Sequence, residues 1–372
     1  VDGLKRREFI QSLCAGTCGV VGSAALPLAV LSEESGLKRE AEHYEKLSDN
    51  AVRCMVCPRR CVVPDGQRGF CRVRENIGGT YYLAVYGKIC AAHIDPIEKK
   101  PLFHFLPGTV AFSIATVGCN MTCKFCQNWE ISQARPEDVH ASDSAPEKVA
   151  GDAAAYDAPT IAYTYTEPIV WNEYVRDVAR SGHEKGLKSV MISAGYINHD
   201  PLAEVIEEMD AIKVDLKGFD DEFYRDICST SLRPVLDTLV QVKASGRWLE
   251  IVNLIIPTLN DDDKHITDLC KWVVENLGDD VPVHFTRFYP TYKLTNLPPT
   301  PLVAVERARE IAIAHGMNFP YVGNVPSGHP GESTYCPSCG RVVIERAGYK
   351  VATLGMKDGK CSSCGTSIPG IW

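Results

Sequence analysis

Cys119-Asn120-Met121-Thr122-Cys123-Lys124-Phe125-Cys126 is the stretch from which the rest of the chain can be read. Three cysteines fall within eight residues, spaced x3 and then x2. A strand-like run, TVAFSIATVG over 109–118, leads directly into them. Thiolate is the ligand that iron–sulfur cubanes take, and a cubane held by three cysteines keeps one iron open. An open metal position separates a site that binds substrate from a closed structural one. A three-cysteine zinc site or unrelated core cysteines are the plainer readings. The strand-then-loop setting and the company of other cysteine sets favour the cluster.

Outward from that loop, strand and helix patterns alternate from 109 to 325. Strands are expected over 109–118, 159–167, 187–194, 210–217, 248–256 and 281–289, with a short one at 319–323. Helices are expected over 146–156, 169–185, 201–209, 220–245, 263–277 and 301–315. Pro146, Pro168 and Pro201 sit at first turns, and Gly186, Gly246, Gly278 and Gly316 follow last turns. Alternating βα units imply a parallel sheet with right-handed crossovers. The candidates are a closed or partial (β/α) barrel and an open doubly wound sheet. Within 212–217, Ile212, Val214 and Leu216 alternate with Lys213, Asp215 and Lys217. A parallel strand covered on both faces is normally apolar throughout. Three charges on one face therefore point to a ligand cavity, or else to an edge strand with a solvated face.

The chain has 372 residues, a net charge of −8 and 45% hydrophobic residues, which is ordinary for a globular protein and poor for a nucleic-acid surface. Its 16 cysteines are clustered. Cys54-x2-Cys57-x3-Cys61-x9-Cys71 is turn-rich and too short for its own core, so a metal is expected to fold it. The ligand there is zinc or a closed auxiliary cluster, and the small size of the module leans toward zinc. Cys336-x2-Cys339 and Cys361-x2-Cys364, 21 residues apart, fit a zinc ribbon, with a second cluster as the alternative. Residues 33–52 are polar and helix-prone, and His183, His199, His265 and His315 are expected on the surface. In the run DPIEKKPLFHFLPG (95–108) the charged Glu98-Lys99-Lys100 reads as a solvated turn, with packing of the segment on the cluster loop as the alternative. At the start, Lys5-Arg6-Arg7-Glu8-Phe9-Ile10 and the apolar stretch 13–31 are similar to a twin-arginine export leader.

The loop's Cys-x3-Cys-x-aromatic-Cys resembles the signature of radical S-adenosylmethionine (SAM) enzymes. The segments 95–108, CNMTCKFCQNWEIS (119–132), YTYTEP (163–168), DAIKVDLKGF (210–219), HFTRFYP (284–290), YVGN (321–324) and IPGIW (368–372) are closer still to the radical enzyme of the AmmeMemoRadiSam system, a relative of pyruvate formate-lyase activating enzymes. The resemblance implies a partial (β/α)6 TIM-like barrel over 109–325. It is preceded by the leader (1–35) and a four-cysteine module with linker (36–108), and followed by a zinc-ribbon-like module (326–372). It implies a [4Fe-4S] cluster on Cys119, Cys123 and Cys126, SAM on the open iron, and Phe125 near the adenine. Glu167 stands where the superfamily's Gly-Gly-Glu motif binds the SAM amino group, although Tyr165-Thr166 replace the glycines. Asp215 and Lys217 match the SAM-contacting Asp-Leu-Lys of the activating enzymes, and Ser193 is placed to touch the ribose.

The activity so implied is reductive cleavage of SAM to a 5′-deoxyadenosyl radical that abstracts hydrogen from a protein or peptide. A small-molecule substrate is the alternative. An electron-transfer protein is disfavoured, because such a carrier normally closes its cluster with a fourth cysteine. Expected partners are the substrate, a ferredoxin or flavodoxin as electron donor, and Amme-type and Memo-type companion proteins. Nucleic acid is not among them. The chemistry needs cytoplasmic SAM, while the leader leaves membrane association or periplasmic export open.

Overall fold

Seven parallel strands in unbroken sequence order make the centre of the computed structural model, which describes residues 39–372. The expected leader lies outside the described residues. Strand β1 (Ala91–Pro96) pairs antiparallel with β2 (Val110–Ala115). There follow α1 (Pro146–Ala155), β3 (Thr160–Tyr163), α2 (Asn172–His183), β4 (Lys188–Ser193), α3 (His199–Glu208) and β5 (Ala211–Asp215). The series ends with α4 (Asp221–Cys228), α5 (Arg233–Ala244), β6 (Trp248–Ile255), α6 (Asp263–Leu277), β7 (Val283–Arg287), α7 (Leu302–Ala314) and β8 (Pro320–Gly323). The sheet order runs from β8 down to β1 without a switch point, and its two end strands do not pair. That is an incomplete (β/α) barrel of the expected kind.

Local chemistry explains the elements. Helix α2 buries Tyr174, Val175, Val178, Ala179 and Gly182, a stripe at helical spacing. A Cβ on Gly182 would lie 3.0 Å from Ile161 Cδ1, so glycine lets α2 approach β3 closely. Asp220 and Asp262 cap α4 and α6 by accepting from Phe223 N (2.6 Å) and His265 N (2.9 Å). The single helix expected over 220–245 is two. Ser229 turns left-handed (φ 59) after α4, Ser and Thr favour turns over helix interiors, and Pro234 suits the first turn of α5. In the helix-prone 33–52, the residues described from 39 onward form short strands, Arg39–Glu40 and Tyr44–Lys46, and one 3-10 turn, Ser48–Asn50, and Tyr44–Lys46 pairs with Val52–Cys54 of the cysteine-rich module. Among the described residues no helix is long and apolar enough to cross a membrane.

The amino-terminal end of the barrel is filled from outside the sheet. Inward-facing Ala111, Ala162, Val190 and Ala211 are small, and Ile97, Leu102 and Phe105 pack into the space they leave. The segment 95–108 is therefore a plug. Its backbone is anchored where Glu250 of β6 accepts from Phe103 N (3.0 Å) and His104 N (2.8 Å). The carboxyl-terminal residues clasp it: Leu106 N donates to Ile371 O (2.7 Å) and Ile371 N to His104 O (2.8 Å). Arg346 of the ribbon strand Val342–Ala347 lies fully buried over the Phe103 ring, 4.1 Å from its centroid, and donates to Phe103 O (2.6 Å). The reading in which this segment packs on the cluster loop is thus corrected. The two are linked through Tyr165, whose hydroxyl donates to Asp95 and whose carbonyl accepts from Asn128 Nδ2 (2.8 Å).

Candidate active site

The carboxyl ends of the strands hold the candidate residues. The cysteine loop leaves β2 through Gly118 (φ +101), whose Cβ, if present, would strike Val73 Cγ1 at 2.5 Å. The loop then docks on the last turn of α4, where carbonyls lack intrahelical partners. Thr122 N donates to Cys228 O (3.3 Å) and Lys124 N to Ile227 O (3.0 Å). Gln133 Nε2 donates to Met121 O (3.0 Å). Cys123 is buried, and Cys119 and Cys126 are half-buried. Met121 N points at Cys119 Sγ (3.4 Å) and Ser132 Oγ lies 3.2 Å from Cys126 Sγ. Cys228, which the sequence pattern leaves unassigned, hydrogen-bonds Cys123. That contact, followed by Lys217, favours the Cys123 thiolate, while burial pushes the Cys119 thiol up.

Three or more ligand atoms converge within 4.8 Å in two places among the described residues, and the loop cysteines are not one of them. Their sulfurs are spread, as thiolates on separate irons must be. The donor set thus fits a three-thiolate [4Fe-4S] cluster better than a single zinc ion.

Glu167 follows β3 and is 2% exposed. Its Oε1 accepts from Ser193 Oγ (2.7 Å) and its Oε2 from Ala194 N (2.8 Å), which fixes the carboxyl across β4. It also caps the short turn Pro168–Trp171. Burial pushes its pKa up against these bonds. Ser193 accepts from Gly195 N (2.9 Å) and is committed to holding Glu167. Tyr165, in the place of a motif glycine, keeps a left-handed backbone (φ 66), so the turn survives without glycine at a conformational cost.

Strand β5 is central, between β4 and β6, so its charged face is interior. Asp215 forms ion pairs with Lys213 and with Lys217 (3.2 Å). Burial alone would raise the Asp215 pKa, but the two lysines hold it down to about 2. Burial lowers the pKa of Lys213, which is 4% exposed. Lys217 Nζ lies 5.7 Å from the centroid of the Phe125 ring, and Phe125 rests on Phe223 at 6.3 Å. Cys123, Phe125, Asp215 and Lys217 therefore form one neighbourhood. Asn253, fully buried beside it, donates to Leu216 O (2.7 Å) while its Oδ1 has no partner.

His284 belongs elsewhere. It bonds Glu250 (2.7 Å) and stacks on Tyr321 in the plugged half of the barrel. His265, expected on the surface, is buried and accepts from Phe219 N (2.7 Å), tying α6 to the loop after β5. Cys336, Cys339, Cys361 and Cys364 do converge, with Sγ–Sγ distances of 3.5 Å (Cys336–Cys364) and 3.7 Å (Cys339–Cys361). Four thiolates about 2.3 Å from one zinc stand about 3.8 Å apart, so this set fits one tetrahedral ion. Cys54, Cys57, Cys61 and Cys71 surround a cavity instead.

The chain is similar to several known proteins. The family model described as Radical SAM superfamily matches residues 113–270. An uncharacterized protein of Methanocaldococcus jannaschii is 47% identical over 332 residues, spanning 89% of this chain and 98% of that one. A pyruvate formate-lyase-activating enzyme of Clostridium pasteurianum is 24% identical over 43% of this chain and 67% of its own length. The pyruvate formate-lyase 1-activating enzyme of Escherichia coli K12 is 23% identical over 54% of this chain and 87% of its own.

Proposed function

The chain belongs to the radical SAM superfamily, and from that premise we propose that it generates a 5′-deoxyadenosyl radical to abstract hydrogen from a protein or peptide. Membership implies an enzyme that uses a [4Fe-4S] cluster and SAM. The observation that carries the reading is the meeting of the three-cysteine loop with Phe125, Glu167, Asp215 and Lys217 at one end of the barrel. When bound, the cluster supplies one electron for cleavage of the SAM sulfonium bond. The protein's part is to orient and to keep dry. Cys119, Cys123 and Cys126 are the proposed cluster ligands. Glu167, immobilised by Ser193 and Ala194, offers a carboxylate to the SAM ammonium. Lys217 would offer a cation to the SAM carboxylate, Asp215 would accept from the ribose, and Phe125 would face the adenine. Ser193 acts by positioning Glu167 rather than by touching the ribose.

The protein-substrate reading draws on the activating-enzyme relatives named above. It brings with it a ferredoxin- or flavodoxin-class donor, and the resemblance to the AmmeMemoRadiSam enzyme adds Amme-type and Memo-type proteins as companions. The ribbon quartet is proposed to hold zinc on the strength of its sulfur spacing. The experiment offers candidate proteins and metabolites, deuterated in turn, to the reduced enzyme with SAM. Deuterium is expected in 5′-deoxyadenosine from a protein or peptide. Label arriving from a metabolite alone overturns the protein-substrate reading.

A further inference from the structure

We propose that Cys54, Cys57, Cys61 and Cys71 hold a second, closed [4Fe-4S] cluster, and not a zinc ion. All four line one cavity. The molecule contains its own standard for a zinc site: the ribbon quartet, drawn to 3.5 and 3.7 Å, meets the spacing one ion imposes. The amino-terminal quartet does not gather in this way, since no three of its sulfurs are among the sets that converge within 4.8 Å. It behaves like the spread cysteines of the loop. Four thiolates around a void suit a cubane, in which each binds a different iron.

A second observation points into the same cavity. The Tyr81 hydroxyl lies on its wall, in a fully buried residue, with no hydrogen-bond partner. A buried donor left unpaired is costly, so an acceptor is expected there. Cluster sulfur is such an acceptor. A Cβ on Gly69 would come within 2.7 Å of that hydroxyl, so glycine keeps the space open. Arg74, 1% exposed on the same wall, sets a guanidinium beside the thiolates.

The small size of the module, which leaned toward zinc, loses its force because the module does not stand alone. Arg74 pairs with Glu173 of α2 (2.5 Å), and Asn198 beside α3 donates to Met55 O (2.6 Å). The cavity also adjoins the first cluster loop. Asn120, between Cys119 and Cys123, lies on its wall, and Arg59 Nε donates to Asn120 O (2.5 Å). A cluster closed by four cysteines has no iron for SAM. Its available chemistry is to take one electron from an external donor of the ferredoxin or flavodoxin class and pass one to the neighbouring loop, with no net change.

Iron, acid-labile sulfide and zinc are to be measured on the full chain after anaerobic reconstitution, with electron paramagnetic resonance of the dithionite-reduced protein. The proposal expects about eight irons per chain, and about four in the C119A/C123A/C126A variant with a reduced-cluster signal retained. Zinc stays near one per chain in both. Cys71→Ala, which leaves the loop intact, is expected to lower iron by about four with zinc unchanged. An iron-free triple variant, or a Cys71→Ala protein that loses zinc instead of iron, overturns the proposal.

Discussion

Glu167 shows how one residue serves both the fold and the site. Its oxygens are spoken for by Ser193 and Ala194, yet its charge is what a bound ammonium would meet. Glu167→Gln should fold, because the amide group can still pair with the Ser193 hydroxyl. SAM affinity should fall about 10- to 100-fold, the worth of a charge-assisted hydrogen bond, as read by equilibrium binding. Unchanged affinity would remove Glu167 from the site. Because burial raises its pKa, Glu167 takes up a proton at a higher pH than an exposed glutamate does. Binding should therefore weaken on the acid side above the ordinary carboxylate range, and the Gln variant should lack that dependence. The residues legible in the sequence were those whose spacing carries chemistry: the three cysteines, the charged face of 212–217 and the ribbon pairs. Ser193 was named for the ribose and its bond to Glu167 was not foreseen, and Cys228 was given no role. Their contacts, to Glu167 and Cys123, join residues far apart in sequence, and no local pattern encodes them.

At the scale of elements, periodicity with proline and glycine punctuation placed all seven parallel strands and broke down where tertiary contacts decide. The plug is the main example. Its sequence, with Glu98, Lys99 and Lys100 in a row, reads as a solvated turn, but Ile97, Leu102 and Phe105 fill the barrel. What makes room for them is alanine at 111, 162 and 211, and that fit cannot be seen one strand at a time. His104 sits in the clasp, bonded to Pro369 O (2.6 Å) and Tyr321 Oη (2.5 Å). Burial pushes its pKa down to about 4. A depressed pKa gives stability that is present above the unfolded value near 6.5 and is lost as pH falls toward 4, about 3 kcal/mol in all. Melting temperature should drop over that interval, and His104→Gln should flatten the drop. An unaltered slope would separate His104 from the acid lability. The Arg74–Glu173 pair, 1% and 0% exposed, joins the cysteine-rich module to α2. Glu173→Gln strands a buried guanidinium and should cost about 3–5 kcal/mol in thermal or denaturant unfolding. A loss below about 1 kcal/mol would mean that the module is held by other contacts.

For the whole molecule, the ends of the barrel have different tasks. One end is packed with the plug and locked by Arg346 and the last residues, so substrate is expected to enter at the other. There the cysteine loop, Glu167 and the Asp215–Lys217 pair face the interior, with the amino-terminal module against the loop. The order of the sheet and the position of the loop were foreseeable from the βα alternation. The closure of the far end was not, because it is made by segments from both sides of the barrel in the sequence. The most direct test is 5′-deoxyadenosine formed from SAM by the anaerobically reconstituted, dithionite-reduced protein, beside its Cys123→Ala variant. The wild type should form it and the variant should form none. A wild type with an intact, reduced cluster and no 5′-deoxyadenosine, or a variant that still turns over, would contradict the account.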